Sequence, residues 1–315
     1  MRYSVISLLL LPLFFFSFLV ACNPNNIDTA YSYYREGEYD KASVVYLAIL
    51  KKQPNEVLAL KGMGDIKTMQ KDYSGAIEYY KKAIEIKPEL AKKELVSLLS
   101  YSSLTVRTQA AAAIAELSNG LNIVLEEIVL QAEGSNIYSK ADYIEALRRI
   151  GAKASSTVPE ILKYFSNENS TVRKAAVEAL SVMNINAIKE ADGLSFMVKL
   201  MSDADPVVAE TAVKCIGSLK SGAAEIIADV VKMLNNGNSV LVEAAKKSLE
   251  SIGPGNADSV SGLVNLIGNK NPIVVRVSAL DSLAGVGAQA NNIVHEIIPM
   301  IQDDNNEIRI APCML

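Results

Sequence analysis

Ser170-Thr171-Val172-Arg173-Lys174-Ala175-Ala176-Val177-Glu178-Ala179-Leu180 is the stretch whose reading decides the fold. Its apolar residues recur near a period of 3.6, the spacing of one helix face. The phrase returns with drift along most of the chain. Val106-Arg107 leads to Ile114, and Tyr143-Ile144-Glu145-Ala146-Leu147 answers Ala176 to Leu180. Pro206-Val207-Val208 leads to Ala212 and Ile216, Leu241-Val242 to Ala245 and Leu249, and Pro272-Ile273-Val274-Val275-Arg276 to Ala279 and Leu283. The closing apolar residues lie at 114, 147, 180, 216, 249 and 283, in steps of 33, 33, 36, 33 and 34 residues. A period of this length marks a supersecondary unit that buries its apolar face only by stacking on its neighbours.

Outward from that helix, the chain turns on Ile150-Gly151-Ala152, Ile216-Gly217, Ile252-Gly253-Pro254 and Val286-Gly287-Ala288. A first helix follows, as in Val158-Pro159-Glu160-Ile161-Leu162, with proline tolerated in its opening turn. The turns inside each helix pair are rich in Asn and Asp: 167–169, 203–205, 235–238, 269–271 and 303–306. Such side chains accept bonds from the unpaired N–H groups at a helix start. Together these features resemble HEAT repeats, and most nearly the short HEAT-like repeats of the phycobilin-lyase type. The resemblance covers 89–315, with about seven units. The last begins near Ala290, carries Pro312 and is expected to stop short, without a polar cap, at Leu315. Glu89 to Tyr101 is expected to be one amphipathic helix, with Leu90, Leu95, Leu98 and Leu99 on one side.

A second pattern precedes this array. Ala30, Tyr33, Gly37, Tyr39, Ala42, Tyr46, Ile49 and Pro54 are answered by Gly64, Tyr73, Ala76, Tyr80, Ala83 and Pro88. Ala42 to Ala76 and Pro54 to Pro88 are both 34 residues. This resembles two tetratricopeptide repeats over 27–88, each a helix, a tight turn, a second helix and a terminating proline. Small residues let the helices approach, and Tyr46 and Tyr80 fill the gaps. The pattern departs from the family where Trp is usual, at Asn26 and Leu60, and at Lys67, so the first helix is expected to fray. Gly62 and Gly64 read as helix-packing glycines, since no phosphate-loop spacing surrounds them. With no Gly/Pro-rich linker after 88, the whole reads as all-α: one right-handed α-solenoid of two TPR-like and about seven HEAT-like helix pairs, on the order of 90 Å long.

Residues 1–21 stand apart. Val5 to Val20 is almost wholly apolar after a minimal basic start, and is short for a spanning helix. Leu19-Val20-Ala21-Cys22 resembles the lipobox of bacterial lipoproteins. That resemblance implies a signal peptide over 1–21, lipidation of Cys22, a tether at 22–26 and, with Asn23 following, a place at the outer membrane of the cell envelope.

Half the residues are hydrophobic and 21% charged, so the chain is globular, and a net charge of −4 without basic blocks argues against nucleic acid. His295 is the single histidine and no metal-ligand cluster accompanies it. Cys215 reads as core, and Cys22, Cys215 and Cys313 make no disulfide framework. Neither a catalytic constellation, a metal site nor a cofactor is read. Arg107, Arg173, Arg276 and Arg309 share one repeat position and are expected to bond turn acids such as Asp203, Asp205 or Asp303.

Eight of the 13 tyrosines fall between 31 and 80. Tyr33, Tyr39, Tyr46, Tyr73 and Tyr80 occupy packing positions and are expected in the core. Tyr31 and Tyr34 are surplus, and by repeat phase share a concave face with Ile27, Arg35, Lys61, Asp65 and Met69. Tyrosine suits interfaces because it buries area and keeps a polar tip. Family resemblance implies that Tyr31, Tyr34, Arg35, Lys61 and Asp65 hold a protein or peptide segment. The expected function is a non-enzymatic, lipid-anchored interaction scaffold of the bacterial envelope. An envelope or outer-membrane assembly factor and a ligand-handling protein like the phycobilin lyases stand as alternatives.

Overall fold

The computed structural model describes residues 26–252, 263–268, 270–284 and 294–310. The apolar leader, Cys22, the turns at Gly253-Pro254 and 286–288, Pro312 and Cys313 lie outside the described residues. Among the described residues every regular element is helical, and the fold is an all-α solenoid of paired helices. They group into two compact units, divided between Ile128 and Val129.

The first unit opens with α1 (Ile27–Arg35), α2 (Tyr39–Lys52), α3 (Val57–Met69) and α4 (Tyr73–Ile86). Asn26, where the related repeats carry Trp, caps α1 by accepting from the Asp28 N–H at 3.3 Å. Asp72 caps α4 by accepting from Gly75 N–H at 3.0 Å. The two tight turns are equivalent: Gly37 (φ +78°) and Lys71 (φ +62°), 34 residues apart, both take the left-handed conformation. The buried faces carry Ala30, Ala42, Ala59 and Ala76. Gly62 lies under the Tyr46 ring and Gly64 under the Tyr80 ring, so these glycines do pack helices.

The helix expected over 89–101 is interrupted. It consists of a 3-10 turn at Pro88–Leu90, α5 (Lys92–Ser97) and a second 3-10 turn at Leu98–Ser100. Ala91, at φ −135° and ψ 2°, has left helical geometry and breaks the run. Leu95, Leu98 and Leu99 are buried as expected, while Leu90 is only half-buried. Next come α6 (Leu104–Ala115) and α7 (Leu121–Gly134), within which the division between the units falls. Burial also departs from expectation: Tyr46 and Tyr80 are buried, but Tyr33, Tyr39 and Tyr73 are half-exposed. Each of the three meets a polar or aromatic neighbour at the rim. Tyr33 lies under Lys41, Tyr39 against Tyr34, and Tyr73 against Tyr101.

The second unit holds α8 (Ile137–Ile150), α9 (Val158–Lys163), α10 (Ser170–Leu180), α11 (Ile185–Glu190), α12 (Gly193–Leu200), α13 (Pro206–Ser218), α14 (Ile227–Lys232), α15 (Ser239–Ile252), α16 (Ile273–Ala284), α17 (Val294–Ile297) and α18 (Asn306–Ile310). A long 3-10 segment at Gly151–Thr157 occupies the turn expected at 150–152, whereas Ile216 and Gly217, expected to turn the chain, lie inside α13, and the chain turns after it through a 3-10 segment at Lys220–Ile226. The long step from 180 to 216 is absorbed where α11 replaces such a segment.

The Asn/Asp turns form a two-step device that recurs in register. Asn167, Asp203, Asn236 and Asp303 each accept from the backbone N–H two residues on. Those next residues, Asn169, Asp205, Asn238 and Asn305, then cap the helix by accepting from its first N–H groups. The arginines close the same turns. Arg173 donates through Nη1 to the Asn167 and Glu168 carbonyls at 2.8 and 3.0 Å, and through Nε and Nη2 to the Asp203 carboxylate of the next turn at 2.8 and 2.6 Å. Arg276 donates to the Ile267 carbonyl and to Asp303. Arg107 and Arg309 donate to turn carbonyls, those of Tyr101 and Ser102 and of Asp303 and Asp304 respectively. The ladder is therefore a turn-closing device, and two of its rungs reach turn acids. Ala209 and Val242 stand at the arginine position in the repeats between. There α13 and α15 approach closely instead. Gly217 lies against the Ser248 backbone, and the buried Ser248 hydroxyl donates to the Val213 carbonyl at 2.8 Å.

Candidate functional site

Within the first unit, α1, α3 and α5 begin successive helix pairs, and one polar and aromatic group runs across all three. α1 places Tyr31 and Tyr34 one turn apart. Tyr31 is 56% exposed. Tyr34 is half-buried against the core around Ala30, Ala42 and Tyr46, and its ring tilts onto Tyr39 with centroids 5.7 Å apart. On α3, Lys61 and Asp65 stand four residues apart and form an ion pair at 2.9 Å. The same Lys61 ammonium reaches Glu94 on α5 at 2.8 Å, so one cation ties two helix pairs together. The Tyr80 hydroxyl donates to Asp65 Oδ1 at 2.9 Å and shares a hydrogen bond with Thr68 at 3.1 Å.

This proximity shifts the titration of the grouped side chains. Burial raises the Tyr34 phenol above its ordinary range, and the Asp65 carboxylate adds to that. Burial, then Asp65, pushes Tyr46 up to about 12. The same two causes raise Tyr80. For Lys61, burial disfavours the ammonium, but Glu94 and Asp65 outweigh it and the pKa rises. The face thus carries the Tyr31 and Tyr34 rings beside an ammonium held between two carboxylates.

Of the residues singled out from sequence, Tyr31, Lys61 and Asp65 all act electrostatically on Tyr34, and Lys61 pairs directly with Asp65. Arg35 is exposed in the last turn of α1, where its charge complements the negative end of the helix dipole, and it is outside this network. Glu94, Tyr80 and Thr68 join the group as partners not singled out from sequence. Glu94 follows Lys61 by 33 residues, so the repeat phase itself could have found it.

Among the described residues no group of three His, Cys, Asp or Glu side chains could hold a metal ion. His295 is exposed. Cys215 sits at the margin of the core rather than inside it, and burial pushes its thiol up to about 11, against a weaker hydrogen bond from Ser181. No described helix is long and apolar enough to cross a membrane.

Comparison with known families matches residues 57–90 to the tetratricopeptide repeat and residues 194–284 to HEAT repeats. Comparison with curated proteins gives no match. Among solved structures, an engineered protein is similar at 18% identity and a TM-score of 0.44, over 87% of this chain and 83% of that one. A designed armadillo repeat protein, solved in complex with the peptide (KR)4, is similar at 17% identity and a TM-score of 0.43, over 70% of this chain and 96% of that one.

Proposed function

We propose that this chain, with a tetratricopeptide repeat at 57–90 and HEAT repeats over 194–284, is a non-enzymatic scaffold that binds a protein or peptide segment. Stacked helix pairs expose a large surface without needing an enclosed pocket, and that surface is suited to an extended partner. The observation that carries the reading is Tyr31, exposed beside Tyr34 on a face where Lys61, Asp65 and Glu94 are already fixed. A partner meeting this face finds preorganised groups and loses little entropy in ordering them. The Leu19-Val20-Ala21-Cys22 phrase supports a second element of the proposal, a lipid on Cys22 that holds the scaffold at the bacterial envelope, at the outer membrane.

The test is affinity capture from crosslinked native membranes, with a Tyr31→Ala/Tyr34→Ala double variant alongside. A partner held by the parent chain and lost from the variant supports the site. A partner held equally by both moves the site elsewhere on the repeats, and no reproducible partner overturns the scaffold reading. Anchoring is tested separately by metabolic labelling with an alkyne fatty acid. Label on the parent and none on Cys22→Ala is the expected result, and an unlabelled parent removes the lipid from the proposal.

A further inference from the structure

Tyr73 opens α4, and Tyr101 lies in the turn before α6. Their ring centroids are 4.5 Å apart with planes inclined at 46°, the closest aromatic pair among the described residues. Their hydroxyls hydrogen-bond to each other, which brings the phenolic ends of the two rings together. Both residues are half-exposed. The pair is held by its surroundings. The Ser74 hydroxyl donates to Gln109 at 3.1 Å, Lys81 pairs with Glu116 at 2.6 Å, and Asn119 donates to the Glu85 carbonyl at 2.9 Å. Arg107 donates to the backbone carbonyl of Tyr101 itself at 2.7 Å. These bonds fix α4 against α6 and the turns around it, so the rings meet without a search. No part of the proposed binding face uses them.

We propose that Tyr73 and Tyr101 are a site of oxidative coupling, at which a one-electron oxidant, such as a haem peroxidase supplied with hydrogen peroxide, joins the two rings into a dityrosine. Each phenol gives up one electron and its hydroxyl proton. The two phenoxyl radicals form one carbon–carbon bond between ortho carbons, and each ring regains aromaticity as its ortho hydrogen moves to the phenolic oxygen. In sum the protein loses two hydrogen atoms, one carbon–carbon bond forms, and one hydrogen peroxide is reduced to two waters. Proximity makes this an intramolecular step, which outruns coupling between molecules at low protein concentration. The product closes a covalent loop over 28 residues, tying the second tetratricopeptide pair to the turn before α6. A crosslink of that span restricts the unfolded chain and stabilises the fold.

The experiment treats the full chain, at low concentration, with a haem peroxidase and hydrogen peroxide. Dityrosine fluorescence is followed, the monomer is isolated, and its peptides are mapped by mass spectrometry. The expected result is a monomer in which the Tyr73 and Tyr101 peptides are joined with loss of two hydrogens, with a melting temperature above that of the untreated chain. Tyr73→Phe and Tyr101→Phe, made separately, each abolish the joined peptide; either ring retains its packing as phenylalanine. Tyr31 and Tyr138, which are 56% and 85% exposed, remain in both variants as competing sites. Monomer fluorescence unchanged in the variants, coupling dominated by those exposed tyrosines, or no joined peptide at all would overturn the proposal.

Discussion

Lys71 is the residue at which local chemistry and repeat geometry conflict. The turn between paired helices requires positive φ, which Gly37 meets freely and Lys71 meets at the cost of crowding its Cβ. Lys71→Gly is expected to stabilise the fold by about 0.5–1 kcal/mol, net of the extra freedom glycine gives the unfolded chain. Gly37→Ala is expected to cost about 1 kcal/mol, because open space around the Cβ does not relieve the backbone. Urea denaturation of the two variants checks both signs. Gly64 fails for a different reason, since its missing Cβ makes room for the Tyr80 ring. Gly64→Val therefore overpacks the α3–α4 contact, at an expected cost of about 1–3 kcal/mol. Gly134→Ala, where a Cβ meets nothing, is the matched control and is expected to be neutral or slightly stabilising in the same assay.

At the scale of the element, the turn between helices is the recurring unit of order in the second group of repeats. Arg173 spans two turns with charge-assisted bonds, and Arg173→Met is expected to cost about 2 kcal/mol in thermal or urea unfolding. The same bridge carries a pH signature. The Arg173 guanidinium holds the Asp203 carboxyl below its usual 3.8, and Arg276 does the same for Asp303. A depressed carboxylate contributes stability that is present above its unfolded value and is lost as pH falls through the folded one. Stability is therefore expected to drop as pH falls below that ordinary value, with proton uptake on unfolding. In Asp203→Asn that acid slope should be shallower; an unchanged slope would remove Asp203 as its source. Where alanine and valine replace the arginine, α13 and α15 rely on the Gly217–Ser248 approach. Gly217→Val drives a Cβ to within 2.7 Å of the Ser248 Cα, and is expected to cost about 1–3 kcal/mol.

For the whole molecule, repeat arrays unfold by nearest-neighbour terms rather than as one cooperative block. The chain has no tryptophan, and tyrosines are concentrated in the first unit. Tyrosine emission therefore reports chiefly on that unit, whereas far-ultraviolet circular dichroism reports helices throughout. The two probes are expected to give non-coincident urea transitions. Superimposed curves would show that the units unfold as one, and would make the single-variant costs above comparable across the chain.

The fold was legible because its signal is repetition. A phrase such as Ser170–Leu180 is ambiguous once, but its return at a nearly constant step leaves only stacked helix pairs able to bury every copy of the same face. Capping Asn and Asp were legible for the same reason, since a helix start needs an acceptor wherever it recurs. Phase put Tyr34 near Lys61 and Asp65, but it also put Arg35 there, which lies outside that network. What repetition does not encode is the contact between non-equivalent positions. That Lys61 chooses Glu94 as well as Asp65, that Tyr73 leaves the core to meet Tyr101, and that Ser248 takes over where an arginine is missing depend on the distances left between packed helices. The sequence by itself determined an all-α chain of helix pairs, because apolar periodicity and turn chemistry act locally. Only the tertiary structure decided which side chains meet across those pairs, because that choice is made by packing geometry after the helices have formed.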